Sequence, residues 1–174
     1  MEGPSLVILK EEAQPFIGKK VMGATGAGKL DKERITGQKV TALKTWGKHF
    51  LICFDDFTVK IHMLMFGTYR INERKETIPR LSLAFANGEL NFYTCSVKIL
   101  EGDINLHYNW EEDVMSENWD PEKAKDTLEK IPKQMICDAL LDQTIFSGVG
   151  NIIKNEVLYR CKIHPESLVG KIPS

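Results

Sequence analysis

The chain has 174 residues, of which 43% are hydrophobic, so it can bury a core as one large or two small domains. The first residues lack the basic segment of a signal peptide, and no apolar run approaches the roughly 20 residues of a membrane helix. These features exclude a disordered chain and predict a soluble, cytoplasmic protein. The four cysteines form no C-x-x-C pair, which disfavours a zinc site within the chain and predicts reduced, mostly buried thiols.

The net charge of −1 conceals an uneven distribution of charge along the chain. Residues 1–48 carry nine Lys/Arg and five Asp/Glu, whereas residues 101–120 carry seven acids and no Lys/Arg. This asymmetry is compatible with a polyanionic partner on one face. Ordinary solvated faces explain it equally well, so charge alone leaves both interpretations open.

The amino-terminal part predicts one helix followed by strands. The segment PSLVILKEEAQPF predicts a helix of about three turns that ends before Pro15. Between residues 18 and 100, QKVTALKTWGKHFLICFDDFTVKIHMLMFGTYRIN predicts three strands separated by WGK and DD. LSLAFANGELNFYTC alternates about an Asn-Gly pair, which predicts a hairpin. The fold class is therefore α+β, with an N-terminal β-sandwich or flattened barrel flanked by a helix.

The carboxy-terminal part is predicted to be helical. Asp120 before Pro121 is typical of a helix start. Farther along, the pattern places three residues on one face of a later helix, namely Ile153, Val157 and Cys161. We therefore predict a β-rich domain over residues 1–119 and a helical domain over residues 120–174.

The stretch Ser147-Gly-Val-Gly-Asn151 joins two helical patterns. Gly148 and Gly150 allow positive φ and a close approach of the backbone to another group. The next helix begins at once, so its free N–H groups and positive dipole end predict an anion site, with Asn151 as a further donor. Phosphate is the predicted occupant, although a plain connector between helices is equally compatible with the composition.

Two further stretches could contact a polyanion. Lys48 lies in the predicted turn TWGKHF and could reach a phosphate, although a solvated turn lysine is commoner. Leu64, Met65 and Phe66 end a predicted strand, and alternation sends at least one of them to solvent. They fit either a core under a loop or a wedge between DNA bases. His62, in the same strand, is more typical of a packed histidine than of a ligand.

The amino terminus could itself be reactive. An α-amine is partly neutral at physiological pH and forms Schiff bases with carbonyl carbons. Glu2, one residue from the amine of Met1, could move the protons that such chemistry needs.

Together these residues resemble the formamidopyrimidine-DNA glycosylase / endonuclease VIII family. LLDQTIFSGVGNIIKNEVLYR, followed by IHPE, is similar to the family's helix-two-turn-helix signature. GKHFLICF and IHMLMFG are similar to its β-rich domain, and EDVMSENWDP resembles the segment that leads into its helical domain. The resemblance covers nearly the whole chain in the family's order, and it is closer to endonuclease VIII.

The resemblance implies a DNA glycosylase with AP-lyase activity. The N-terminal amine, here that of Met1, would attack C1′ of the damaged nucleotide, the base would leave, and β- then δ-elimination would cut the strand. Glu2 matches the glutamate that handles protons at the sugar, and Lys48 the lysine that contacts a phosphate near the lesion. Asn151 matches the asparagine that binds backbone phosphate, and Glu156 the glutamate of the family's N-E motif near the active-site pocket.

The resemblance also implies the DNA contacts and the partner. Leu64, Met65 and Phe66 match the residues that fill the gap left by a flipped base. Further expected DNA contacts are His62, Gly148 and Gly150. The expected partner is damaged double-stranded DNA, with an oxidised pyrimidine as the lesion. We expect a monomer with no membrane contact, associated with the nucleoid when bound to DNA.

Three features depart from the family pattern. The family begins Met-Pro-Glu-Gly-Pro and exposes the amine of proline, whereas here Met1 precedes Glu2 directly. Ser5 stands where the family has Glu. The family's zinc finger would lie beyond residue 174, so no cofactor is expected in this chain, and Pro173-Ser174 resembles the start of another helix. Because of these departures, a damaged-DNA-binding module that has lost catalysis is an alternative function. A β-plus-helical domain unrelated to DNA is the third alternative.

Overall fold

The computed structural model describes residues 1–172 and has a mixed α+β architecture built on one antiparallel sheet. Its strands lie in the order β1-β5-β6-β4-β3-β2. Their bounds are β1 Val21–Thr25, β2 Ala42–Trp46, β3 His49–Cys53, β4 Phe57–Ile71, β5 Leu81–Phe85 and β6 Gly88–Glu101. The predicted α+β class is confirmed, and the expected helix start at Pro173-Ser174 lies outside the described residues.

Short helices flank the sheet and follow it. Their bounds are α1 Gly3–Glu12, α2 Lys32–Ile35, α3 Pro121–Glu129, α4 Ile136–Ala139 and α5 Asn151–Cys161. The predicted first helix is confirmed, because α1 ends at Glu12 and buries Leu6 and Leu9 completely. The predicted start at Pro121 is also confirmed, since the Asp120 side chain accepts hydrogen bonds from the first free amides of α3.

The main core lies on the inner face of the sheet. Val21 of β1 and Leu43 of β2 belong to the same hydrophobic cluster, although their strands form opposite edges of the sheet. The sheet therefore curls around its core, as a flattened barrel does. Helix α1 packs against β2 and β3, which brings the amino terminus of the chain to this part of the sheet.

The predicted hairpin between β5 and β6 is confirmed, because Phe85 pairs with Gly88 across a two-residue loop. The predicted alternation of exposure is wrong in β5, where Leu81, Ser82 and Leu83 are buried in succession. The outer face is covered here by the chain between β4 and β5. Asn91, the partner of Ser82, donates to the backbone oxygen of Glu73 at 2.8 Å.

The last helix packs differently from its predicted face. Leu158 is the buried residue of α5, whereas Val157 is 40% exposed and Cys161 is exposed. The face predicted from the sequence is therefore not the buried one, because Val157 borders an open apolar groove instead of a packed neighbour.

The cysteines are free, as predicted, but their burial is uneven. Cys53 and Cys95 are buried, Cys137 is half-buried and Cys161 is exposed. Among residues 1–172, no helix is long and apolar enough to cross a membrane. The division into domains at residue 119 stays a prediction.

Candidate active site

The carboxylate of Glu2 occupies the amino-terminal end of helix α5. The amide of Ile152 donates to one of its oxygens at 2.7 Å, and the amide of Ile153 donates to the other at 3.0 Å. These amides belong to the first helical turn, which has no intrahelical partners for them. The sequence predicted an anion here but named phosphate as its occupant. In the structure these two donors are used by a carboxylate of the same chain.

Gly150 makes this contact possible. A Cβ atom at this position would collide with the Glu2 carboxylate. The backbone conformation of Gly150 is extended and open to any residue, so the requirement is for space. The predicted close approach of the glycine-rich loop is confirmed, and the approaching group is Glu2.

The same loop also holds the backbone of α1 and the β2–β3 turn. The amide of Gly3 donates to the carbonyl of Gly148 at 2.9 Å. Gly148 has φ of +99° and Gly47 has φ of +54°, so both adopt a conformation that favours glycine. A Cβ at Gly47 would collide with the side chain of Ser147. The turn that carries Lys48 therefore sits directly on the glycine-rich loop.

Lys48 is brought close to Glu2 by this packing. Partial burial lowers the pKa of the Lys48 ammonium, and the charge of Glu2 opposes that change. Their charges thus act on each other although 46 positions separate them in the sequence. A lysine that has lost part of its hydration is well suited to a phosphate oxygen, because less water must be displaced.

Two histidines lie beside the lysine on neighbouring strands. His49 pairs with His62, and their ring centroids are 5.3 Å apart. Burial, together with the charges of Lys60 and His62, lowers the pKa of His49 to about 4. The pKa of His62 is also lowered, first by burial and then by nearby cations that include Lys48 and the amino terminus. Met1 and Lys48 are therefore both near His62.

Leu64, Met65 and Phe66 project from a bulge in β4. Met63 still pairs with Cys95 and Thr68 pairs with Tyr93, so four residues of β4 face a single residue of β6. The three side chains are 46%, 87% and 78% exposed in chain order. Of the two interpretations, the buried core under a loop is wrong, and the exposed geometry that a wedge requires is present.

Asn151 is the first residue of α5, and Glu156 lies farther along the same helix. Both are exposed on α5. The Asn151 side-chain oxygen accepts from Lys154 at 3.0 Å, and Glu156 accepts from Arg160 at 2.6 Å. Their predicted roles stay predictions. Ser5, which stands where the family has Glu, is exposed on α1.

The sequence analysis missed Asp113. The residue is 2% exposed, and burial raises the pKa of its carboxyl. It lies beside Gly148 and accepts a hydrogen bond from the amide of Met115 at 3.0 Å. Nothing local separates this aspartate from the other acids between residues 101 and 120, so its burial could not be foreseen from the sequence.

An open cavity lies next to Met1. Its volume is about 620 Å³, and its lining includes Thr68 and Tyr69, just beyond the bulge of β4. The phenol of Tyr69 donates to Glu12 at 2.8 Å. Among residues 1–172 no grouping of His, Cys, Asp and Glu could hold a metal ion, and the expectation that the chain needs no cofactor stays a prediction.

Two family models match the chain. The formamidopyrimidine-DNA glycosylase N-terminal domain matches residues 12–96, and the formamidopyrimidine-DNA glycosylase H2TH domain matches residues 111–173. The chain belongs to the formamidopyrimidine-DNA glycosylase / endonuclease VIII family. The resemblance seen in the sequence is thereby confirmed.

Relatives from both branches of the family are similar to the chain. Mouse endonuclease 8-like 3 is 29% identical over 94% of the chain and 28% of its own length. Human endonuclease 8-like 2 is 41% identical over 54% of the chain and 27% of its own length. Formamidopyrimidine-DNA glycosylase of Lactococcus lactis subsp. cremoris is 29% identical over 91% of the chain and 66% of its own length. The chain thus spans little more than a quarter of the endonuclease 8-like relatives.

Solved structures of the family share the whole fold. The complex between Lactococcus lactis Fpg and an abasic site containing DNA superposes with a TM-score of 0.86, at 26% identity, over 100% of this chain and 72% of that one. A complex of a mutant of the same glycosylase with a THF containing DNA superposes with a TM-score of 0.87, over 100% of this chain and 71% of that one.

Proposed function

We propose that this chain carries the nucleophile and the helix-two-turn-helix of a base-excision-repair DNA glycosylase with AP-lyase activity. One observation carries the proposal. The loop between Ser147 and Gly150 contacts both the amino-terminal segment that carries Glu2 and the turn that carries Lys48, so three segments far apart in sequence meet at one place. A site of this kind is typical of catalysis rather than of packing alone.

The proposed chemistry begins at the amino terminus. The amine lone pair, in this chain that of Met1, forms a bond to C1′ of the damaged nucleotide. The glycosidic bond breaks, and its electron pair leaves with the base, which takes up a proton. Opening of the sugar ring gives a Schiff base, and loss of a C2′ proton then expels the 3′ phosphate by β-elimination. A second, δ-elimination expels the 5′ phosphate.

Glu2 and Lys48 have different roles in this proposal. Glu2 transfers protons at the sugar, and its two bonds to α5 fix its position relative to the amine. Lys48 binds a phosphate beside the lesion, and its partial desolvation supports that role. His62 is close to both the amine and Lys48, and it would contact the DNA strand that carries the lesion.

The substrate we propose is damaged double-stranded DNA with an oxidised pyrimidine. Leu64, Met65 and Phe66 would enter the duplex where the nucleotide leaves, and their exposure supports this insertion. The open cavity beside Met1 could accept the extruded base. The preference for pyrimidines is supported by the likeness of this exposed triad to that of endonuclease VIII. We further propose that Asn151 binds backbone phosphate, and that the chain acts as a monomer.

Base excision by the full-length protein tests this function. Duplexes with thymine glycol and with 8-oxoguanine are compared, and we expect faster excision of thymine glycol. Glu2→Gln should abolish excision and leave binding to an abasic-site analogue within about threefold. Glu11→Gln changes an exposed glutamate of helix α1, which directly follows Glu2; it is the matched control and should excise normally. Binding without excision by the unmutated protein would instead support the alternative, a DNA-binding module without catalysis.

A further inference from the structure

Asp113 is a buried acid with no ion pair. The residue is 2% exposed, and within residues 1–172 no cation lies within salt-bridge distance of its carboxyl. Burying a carboxylate without a cation is costly unless hydrogen bonds compensate for the lost water. The groups around the carboxylate of Asp113 therefore indicate its role in the structure.

Two segments lie against the carboxylate of Asp113. The amide of Met115 donates at 3.0 Å, which closes a local turn. Gly47 lies on the other side, because a Cβ on Gly148 would be 3.5 Å from the Cα of Gly47 and 3.6 Å from Oδ1 of Asp113. The amide of Gly47 is close enough to lower the pKa of the carboxyl against the rise from burial. Asp113 thus joins the segment before α3 to the residue that immediately precedes Lys48.

The backbone around Asp113 is fixed to the glycine-rich loop. The amide of Ser147 donates to the carbonyl of Glu112 at 2.9 Å, and the amide of Val114 donates to the carbonyl of Ser147 at 3.2 Å. Asp113 itself lies beside Gly148, whose carbonyl accepts from Gly3 next to Glu2. The carboxylate therefore lies, together with the side chain of Ser147, where the lysine turn rests on the loop that holds Glu2.

We propose that Asp113 is a positioning residue, which sets Lys48 relative to Glu2 by holding the amide of Gly47 against the glycine-rich loop. It does not contact DNA, and it acts through Lys48. The proposal rests on the function proposed above, since it assigns Lys48 to base excision. Misplacement of such a group by about 1 Å can lower a rate about a hundredfold, so loss of this contact is expected to matter.

A double-mutant cycle with Lys48 tests the proposal. Asp113→Ala should lower the single-turnover rate of base excision at least tenfold. In the Lys48→Gln background the same change should add less than twofold, because the group it positions is gone. Asp113→Ala should lower the rate of covalent adduct formation with preformed abasic DNA less than it lowers the rate of base excision. Equal effects of Asp113→Ala in both backgrounds would overturn the proposal.

Two variants separate positioning from folding. Asp113→Asn keeps one acceptor oxygen and should restore most of the rate that Asp113→Ala loses. Asp103→Ala is the matched control, because Asp103 also accepts an amide two residues ahead, that of Asn105 at 2.9 Å, but is exposed. It should excise within twofold of the unmutated protein. A loss in Asp103→Ala as large as that in Asp113→Ala would contradict the proposal.

A readout that needs no activity distinguishes this inference from the proposed function. Failure of the unmutated protein to excise any base would refute the proposed function. Amide hydrogen exchange then decides the role of Asp113. The amide of Gly47 should exchange at least tenfold faster in Asp113→Ala, or in Asp113→Val if the alanine variant does not fold, because neither side chain has an acceptor. The amide of Leu51 within β3 should be unchanged. Unchanged exchange at Gly47 would overturn the inference.

Discussion

The contact between Glu2 and helix α5 is both a stabilising interaction and a feature of the proposed site. Replacement by Gln keeps one acceptor oxygen but removes the charge and at least one of two bonds, which measure 2.7 and 3.0 Å. Hydrogen bonds to a charged group contribute about 1.5–3 kcal/mol each. A negative charge at a helix amino terminus adds about 0.3–1 kcal/mol. Because Glu2 is half-buried, we expect Glu2→Gln to lower the free energy of unfolding by roughly 1–2 kcal/mol.

Urea unfolding and amide hydrogen exchange measure this effect. The unfolding midpoint should fall at unchanged slope, and the amides of Ile152 and Ile153 should exchange about tenfold faster. Glu11→Gln, on the exposed side of α1, should change the free energy of unfolding by less than about 0.5 kcal/mol. An unchanged midpoint with unchanged exchange of both amides in Glu2→Gln would refute the reasoning.

Three further predictions concern the neighbouring residues. Gly150→Ala should displace the Glu2 carboxylate and lower the free energy of unfolding, measured in urea, by about 2 kcal/mol. Gly23→Ala adds a Cβ with no atom within 4 Å and should change that free energy little. Phe66→Ala should leave stability within about 0.5 kcal/mol, but weaken binding to abasic-analogue DNA about tenfold in fluorescence anisotropy, because its exposed ring would stack on a base. The pKa of His49 is lowered to about 4 in the folded protein. When the pH falls below the ordinary pKa of histidine, the unfolded chain therefore binds a proton at His49 that the folded chain does not bind. Stability should therefore fall by about 1 kcal/mol, after allowance for solvent, between pH 7 and pH 5. His49→Gln should flatten that slope in urea unfolding, and the exposed control His164→Gln should not.

Local patterns were sufficient to predict most elements of the fold. The proline after Asp120, the hairpin turns and the Ser147–Asn151 loop each depend on residues adjacent in sequence. The identity of the anion on α5 depends instead on a contact between Glu2 and Ile152, 150 positions apart. No local pattern specifies such a contact, and a free helix end indicates an anion without naming it.

The burial of individual side chains was harder to predict than the elements themselves. Periodicity placed Val157 on one face with Ile153 and Cys161, but it could not show that the neighbours of α5 leave Val157 at an open groove. Asp113 has the composition of a surface acid and is buried where its segment lies against the glycine-rich loop. The exposure of Met65 was left between two interpretations, and the bulge that decides it depends on the pairing of β4 with β6.

Borohydride trapping on duplex DNA with an abasic site tests the central claim most directly. Reduction converts the Schiff base into a stable bond, and peptide mass analysis then locates the adduct and identifies the amino-terminal residue. We predict one covalent adduct on the amino-terminal peptide that contains Glu2. The absence of any adduct with the full-length protein, or an adduct on Lys48 instead, would contradict attack by the amino terminus.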